Sequence, residues 1–166
     1  MMNETYRQPP MPEGVEEGIL KGLYRFRPPA DGKDAAVHLF GSGAILNEAL
    51  RAQELLAEHF GVTADVWSAT SYKELYRDAV AAERWNRLHP GEDARRPHLQ
   101  EALGEARGVF VAATDYLKVL PASIAGWLPG RLIALGTDGF GRSDGRDHLR
   151  RHFEVNAGHV ALAALQ

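Results

Sequence analysis

The chain has 166 residues, enough for one domain of ordinary size whose core folds unaided. Apolar residues make up 45% and charged residues 25%, and 19 basic against 22 acidic residues leave a formal charge of -3, which argues against a dedicated nucleic-acid or membrane-surface binder. The lack of cysteine excludes disulfides, thiolate nucleophiles and thiolate metal sites; with no signal-peptide core and no bilayer-length apolar run, the composition points to a soluble cytoplasmic protein.

Residues Met1 to Pro12 read as irregular, stiffened by Pro9, Pro10 and Pro12, and resemble a linker more than the start of a core. The Met1-Met2 pair is what a start codon placed before an internal position would leave. Glu13 to Lys21 allows one or two helical turns with Val15 and Ile19 on one face. Gly22 to Arg27 alternates apolar and polar residues, the pattern of an edge strand, and Pro28-Pro29 stops it. Ala30 to Asp34 is a polar turn. Ala35 to Phe40 reads as an inner strand, and Gly41-Ser42-Gly43 turns it into a helix over about 44–60, with Ile45, Ala49, Ala52, Leu55, Leu56 and Phe60 along one side. Gly61 stands where a helix ends in a left-handed residue.

Ala64 to Thr70 is the next strand. Ser71 and Glu74 fit a capping box, and the helix they open runs to about Leu88, closed by Pro90. A polar loop over 90–97, a short helix from His98 to Leu103 and a strand from Val109 to Ala113 follow. A helix through Leu117 and Val119 to Trp127 leads to Arg131-Leu132-Ile133-Ala134-Leu135, read as a buried strand. Its exit, Gly136 to Asp144, carries three glycines within six residues, and a short helix over 145–153 succeeds it, with Ser143 placed to cap and Asp144 and Asp147 supplying first-turn negative charge. Ala157 to Gln166 is apolar. Strands alternating with helices mean crossover connections and a largely parallel sheet with helices on both faces. In such sheets, sites usually lie in the loops that leave the C-terminal strand ends, which singles out Gly136 to Asp144.

Three motifs invite chemistry. Gly41-Ser42-Gly43 lacks the third glycine of a dinucleotide loop, where Leu46 stands, and lacks the lysine of a triphosphate loop, so a tight turn is preferred over phosphate binding. His148 and His152 share a helix face, but Arg150 and Arg151 crowd them and no third ligand is evident, so no metal site is assigned. No nucleophile elbow of the Gly-x-Ser-x-Gly type occurs. Glu83 to Pro90 is dense in polar and aromatic groups: Trp85 and Leu88 suit a core, and Arg84, Trp85, Asn86 and His89 equally suit a protein interface. Arg142 either pairs with Asp138 or Asp144 or reaches across a subunit boundary.

Several stretches match one family in order: Met2-Asn3-Glu4-Thr5-Tyr6, Met11-Pro12-Glu13-Gly14, Leu39 to Gly43, Thr70 to Leu75, Glu83 to Pro90, Thr114-Asp115-Tyr116, Gly136 to Asp144 and His152 to Val155. Together they resemble the C-terminal domain of the homodimeric bacterial pyruvate dehydrogenase first component, the decarboxylating, thiamine-diphosphate-dependent subunit with transketolase architecture. The resemblance covers essentially the whole chain. It implies a three-layer α/β/α sandwich around a five-stranded, mostly parallel sheet with one antiparallel strand. Residues 1–12 would then be a linker from a preceding domain and 13–166 the domain, cut short of where the family ends.

In that family thiamine diphosphate and magnesium, and the residues that handle pyruvate, belong to the first two domains. No catalytic, cofactor or metal residue therefore carries over to this chain. The implied role is assembly and dimer contact, with the enzyme's other domains, its second subunit and the dihydrolipoamide acetyltransferase component as partners, and neither nucleic acid nor membrane. Asp138, Phe140 and Arg142 are the leading interface candidates, followed by Arg84, Trp85, Asn86 and His89. The alternative is a stand-alone α/β ligand-binding or regulatory domain that uses the Gly41 and Gly136 loops.

Overall fold

The structure is a computed structural model that describes residues 5–30, 32 and 34–166. The Met1-Met2 pair, most of the Met2 to Tyr6 motif, and Asp31 and Lys33 of the turn expected at 30–34 lie outside the described residues. A short helix α1 (Glu16–Lys21) leads into β1 (Leu23–Arg27), and β2 (Val37–Gly41) passes through a 3-10 turn into α2 (Leu46–Phe60). Then come β3 (Ala64–Ala69), α3 (Tyr72–Leu88), α4 (His98–Leu103), β4 (Val109–Ala113), α5 (Val119–Ala122), β5 (Leu132–Leu135), α6 (Arg146–His152) and α7 (Ala157–Ala164).

The strands form one sheet in the order β1-β3-β2-β4-β5, with β1 antiparallel to β3 and every other pair parallel. This is the expected mostly parallel five-stranded sheet, and the antiparallel strand is the alternating segment read as an edge. The two-residue period of a strand divides its side chains between two helical layers. Val37, Leu39, Val66, Val111 and Ala113 face α2 and α7 on one side. Phe40, Trp67, Phe110 and Ala112 face Tyr72 and Leu75 of α3, Leu99 and Leu103 of α4, and Ile124 on the other.

Local signals decide the helix ends. Ser71 Oγ accepts from the Glu74 N–H at 3.2 Å, half of the expected capping box; the Glu74 carboxylate turns instead to Arg77 at 2.9 Å. Gly61 ends α2 at φ +63°, a conformation that costs most other residues free energy. Gly41 serves packing: a Cβ there would stand 2.6 Å from Leu46 Cα, so α2 lies against β2 only because position 41 has no side chain.

Three expectations are corrected. The strand before the Gly136 loop is half-buried, because β5 has a neighbour on one side only and forms the open edge. The helix expected to Trp127 is broken into the single turn α5 and a 3-10 turn over Ala125–Trp127, because Ile124, at φ -98° and ψ 0°, leaves helical geometry between them. Phe60 is exposed rather than part of the buried side of α2: it is the last residue of the helix, and its ring stands edge-on to that of His59.

One buried carboxylate ties α6 to α7, whose apolar residues already pack on α2 and β4. Glu48, buried on α2, accepts from Arg150 Nη1 of α6 and from the Ala157 N–H at the start of α7, both at 2.8 Å. The Ala157 N–H is one of the amides a helix leaves unpaired at its N-terminus, so Glu48 caps α7 from another element while Asn156 caps it locally through the His159 N–H. Glu48→Ala strips both contacts and strands a half-buried guanidinium. It is expected to lower the unfolding free energy by about 3 kcal/mol in urea titrations and to raise amide exchange at Ala157; a loss below about 1 kcal/mol would show the clamp to be dispensable.

Candidate functional site

The surface of interest is built where β4 and β5 end. A Cβ at Gly136 would lie 2.5 Å from the Tyr116 carbonyl oxygen, so only glycine lets the two strand exits run side by side. The Thr137 N–H then donates to that carbonyl at 2.9 Å, and Thr137 Oγ1 donates to the Asp115 carbonyl at 2.8 Å. Asp138 Oδ1 accepts from the Lys118 N–H at 2.9 Å, with the Lys118 ammonium 3.8 Å from the other oxygen. The first half of the loop is thus pinned to residues 115–118. Asp138, an expected interface residue, spends its carboxylate on this local staple.

Beyond the staple the loop faces outward. Phe140 is 96% exposed, and Tyr116, Leu117 and Val119, on the segment to which the loop is tied, are 59%, 50% and 70% exposed. Arg142 is exposed and bonds neither Asp138 nor Asp144; among the described residues no partner is recorded for it. The polypeptide enters at the same end. Asn47 Nδ2 donates to the Arg7 carbonyl at 3.2 Å, Arg146 Nη1 donates to the Thr5 carbonyl at 3.1 Å, and the Arg146 guanidinium stands 5.9 Å from the Tyr6 ring.

Ser143 does not cap α6. Gly145 is the residue before the helix and has no side chain to offer, while Asp144 Oδ1 accepts from the Gly145 N–H at 2.6 Å and approaches His148 Nδ1 at 3.2 Å. The Gly145 N–H, and then His148, hold the Asp144 carboxyl below its ordinary range. His148 and His152 line one cavity of about 300 Å³ together with Arg142, Ser143 and Asp144. The His152 ring packs edge-on against Phe153, and among the described residues no three His, Asp or Glu side chains gather to hold a metal ion. The donor set therefore does not fit a magnesium-diphosphate group.

The crevice that open α/β sheets usually reserve for ligands lies between β2 and β4, whose crossovers run in opposite directions. Here Ser42 Oγ and Thr114 Oγ1 bond each other at 2.7 Å in full burial, and a cavity of about 240 Å³ lies beside the two strand exits, lined by Ala44, Ile45, Asp115, Thr137, Leu149 and Phe153. Gly41 itself serves packing against Leu46.

The second expected group is brought together, but around its own loop. Asn86 accepts from the Arg95 N–H at 2.8 Å and donates to the Arg95 carbonyl at 3.0 Å. The Arg95 guanidinium covers the Trp85 ring at 4.0 Å, the His89 ring stacks on that indole at 4.4 Å, and His89 Nδ1 donates to the Trp85 carbonyl at 2.7 Å. Trp85, Asn86 and His89 thus fold residues 90–97 back onto α3, whereas Arg84 points to solvent. No hydrogen bond, ion pair or ring contact among the described residues joins this group to the Phe140 loop. Glu83, beside it, accepts from Trp127 Nε1 on the return path to the start of β5, which places the group at the opposite end of the sheet.

The sequence reading passed over one cluster: His38 on β2 and Asp65 on β3, neighbours in register and both buried. The available signal was a single titratable residue, His38 or Asp65, at the second position of each of two largely apolar inner strands.

Residues 22–156 match the family described as the transketolase-like TK C-terminal domain. The chain is 52% identical to the C-terminal region of the pyruvate dehydrogenase E1 component of Pseudomonas aeruginosa, 47% to that of Escherichia coli K12 and 45% to that of Mycolicibacterium smegmatis. These matches cover 100%, 99% and 99% of the chain but 19%, 18% and 18% of the relatives, so the chain spans about a fifth of their length. Among solved structures, transketolase from Leishmania mexicana superposes with TM-score 0.61 over 90% of the chain and 18% of its own, at 17% identity. A split-gene transketolase, described as an inactive beta4 tetramer, does so with TM-score 0.53 over 80% of the chain and 39% of its own, at 16% identity. At such identities the likeness concerns the fold alone.

Asn86→Ala is expected to free the loop over 90–97: amide exchange at Arg95 should rise, with a stability loss of about 1 kcal/mol for the two hydrogen bonds. Unchanged protection at Arg95 would show that the Trp85 stack alone holds the loop.

Proposed function

The chain belongs to the transketolase-like C-terminal domain family, and from that premise we propose that it is the C-terminal assembly domain of a thiamine-diphosphate-dependent pyruvate dehydrogenase subunit. Residues 13–166 form the domain and 1–12 the linker from a preceding one. Decarboxylation of pyruvate, acetyl transfer to lipoyl groups, thiamine diphosphate and magnesium belong to the preceding domains of the homodimer. The dihydrolipoamide acetyltransferase component is its partner in the complex, in the cytoplasm; no helix of the described residues is long and apolar enough to cross a membrane.

The observation that carries this reading is Phe140, almost wholly exposed on a loop whose stem is hydrogen-bonded in place. Burying such a ring releases about 2 kcal/mol, and an aromatic with an adjacent arginine is the usual centre of a protein interface. Tyr116, Leu117 and Val119 extend the apolar surface, and the linker enters beside it, so a preceding domain has a short path to this face.

The test uses a Pseudomonas aeruginosa E1 component truncated before its C-terminal region. The chain is expected to associate with it in sedimentation experiments, and Phe140→Asp should weaken that association at least about tenfold, the effect of 1.4 kcal/mol. Arg142→Ala should weaken it less. Association untouched by Phe140→Asp would move the interface elsewhere, and no association by either protein would overturn the assembly role.

A further inference from the structure

Three aspartates in this chain are followed by glycine: Asp31, Asp138 and Asp144. Asp31 lies outside the described residues, and the other two stand in the loop between β5 and α6, both exposed. An Asp-Gly pair contains both partners of an intramolecular reaction. The glycine nitrogen attacks the aspartate side-chain carboxyl carbon, and the missing side chain leaves the closing ring unobstructed. In a folded chain the rate depends on where each carboxyl group is held.

The two carboxyl groups are held differently. Asp138 Oδ1 accepts from the Lys118 N–H at 2.9 Å and its Oδ2 stands 3.8 Å from the Lys118 ammonium, so this side chain is anchored across the loop. Asp144 is folded onto its own successor: Oδ1 accepts from the Gly145 N–H at 2.6 Å. Among the described residues no main-chain carbonyl takes that N–H, and the one further contact of the carboxylate is His148 Nδ1, 3.2 Å from the same oxygen. The Asp144 side chain is 56% exposed, so water reaches it. Carboxyl and nitrogen are thus already in contact, and the fold has met the entropy of bringing them together.

We propose that Asp144-Gly145 is a self-modification site, at which the peptide link migrates from the α-carboxyl to the β-carboxyl of Asp144 and leaves isoaspartate. The protonated carboxyl is the reactive form. A bond forms between the Gly145 nitrogen and Cγ, the amide hydrogen and the carboxyl hydroxyl leave as water, and a cyclic imide results. Water then opens the ring; cleavage at the α-carbonyl leaves the chain running through Cβ and Cγ. No oxidant, metal or second protein enters the balance. The Gly145 N–H and His148 keep the carboxyl ionised to lower pH, so the reactive acid is scarce in neutral solution and the rate rises on acidification. The product lengthens the backbone by one methylene just before α6. That helix carries Arg146, which bonds the Thr5 carbonyl, and Arg150, which bonds Glu48, so the change acts on the segment that holds the chain's entry and α2. This site does not depend on the assembly role.

The test is peptide mapping of the chain after incubation in mildly acidic water enriched in the heavy oxygen isotope. Ring opening inserts one solvent oxygen, so isoaspartate formed by this route carries the label. Labelled isoaspartate is expected at 144 at least about fivefold faster than at 138, a barrier difference of about 1 kcal/mol. In urea, where neither carboxyl is held, the two pairs should react alike. Gly145→Ala should slow the reaction at 144 by a similar factor. Position 145 has φ -61° and open space around a Cβ, so the fold accepts alanine there while the closing ring is hindered. No labelled isoaspartate at 144, a rate at 138 equal or greater in the folded chain, or a ratio unchanged by urea would overturn the proposal.

Discussion

Glu48 is the contact on which the presentation of this domain's surface depends. The sheet and its first three helices are built from apolar packing, but α6 has no buried residue of its own and the loop before it has almost no apolar anchorage. What fixes that segment is one buried carboxylate that bonds α6 with one oxygen and the first turn of α7 with the other. A charge withdrawn from water is tolerated only when its lone pairs are used. The same requirement that makes Glu48 costly to bury makes its geometry specific, and it ties α6 to α7, which is itself packed into the core by Val160, Ala161 and Ala164.

The two ends of the sheet carry different kinds of surface. At the C-terminal strand ends, the Ser42–Thr114 hydroxyl pair and the glycine contacts hold the strand exits together beside a cavity of about 240 Å³, and an outward apolar loop stands next to the chain's entry. At the other end, α1, α4 and the edge strand β1, which is paired to β3, surround a wider cavity with the buried His38 and Asp65 among its lining.

Much of the fold was legible because its signals are local. Alternation marked β1 as an edge, Ser71 and Gly61 marked helix ends, and the apolar runs over 35–40, 64–70 and 109–113 marked the inner strands. The errors fell where a neighbour decides. Nothing in Leu132–Leu135 says that the strand has one partner rather than two, since an apolar run reads alike at the centre and at an edge. Ser143 lost the cap of α6 to the turn geometry of Asp144 and Gly145, which no residue-type preference encodes. The site was half legible: the exposed Phe140 and Arg142 followed from a glycine-rich strand exit, whereas Trp85, Asn86 and His89 turned out to brace their own loop.

By itself the sequence determined the family, the order of strands and helices, and the loop most worth attention. The elements and the loop depend on residue types, period and spacing, which the chain carries along its length; the family came from the resemblance of whole stretches in order. Tertiary structure alone decided that His38 and Asp65 face each other across two strands, that Glu48 reaches α7 over more than a hundred residues, and that Ser42 bonds Thr114 between the β2 and β4 exits. The physical reason is common to all three. Each is a polar contact between elements distant in sequence, and burial gives it its meaning only after the sheet has brought those elements together.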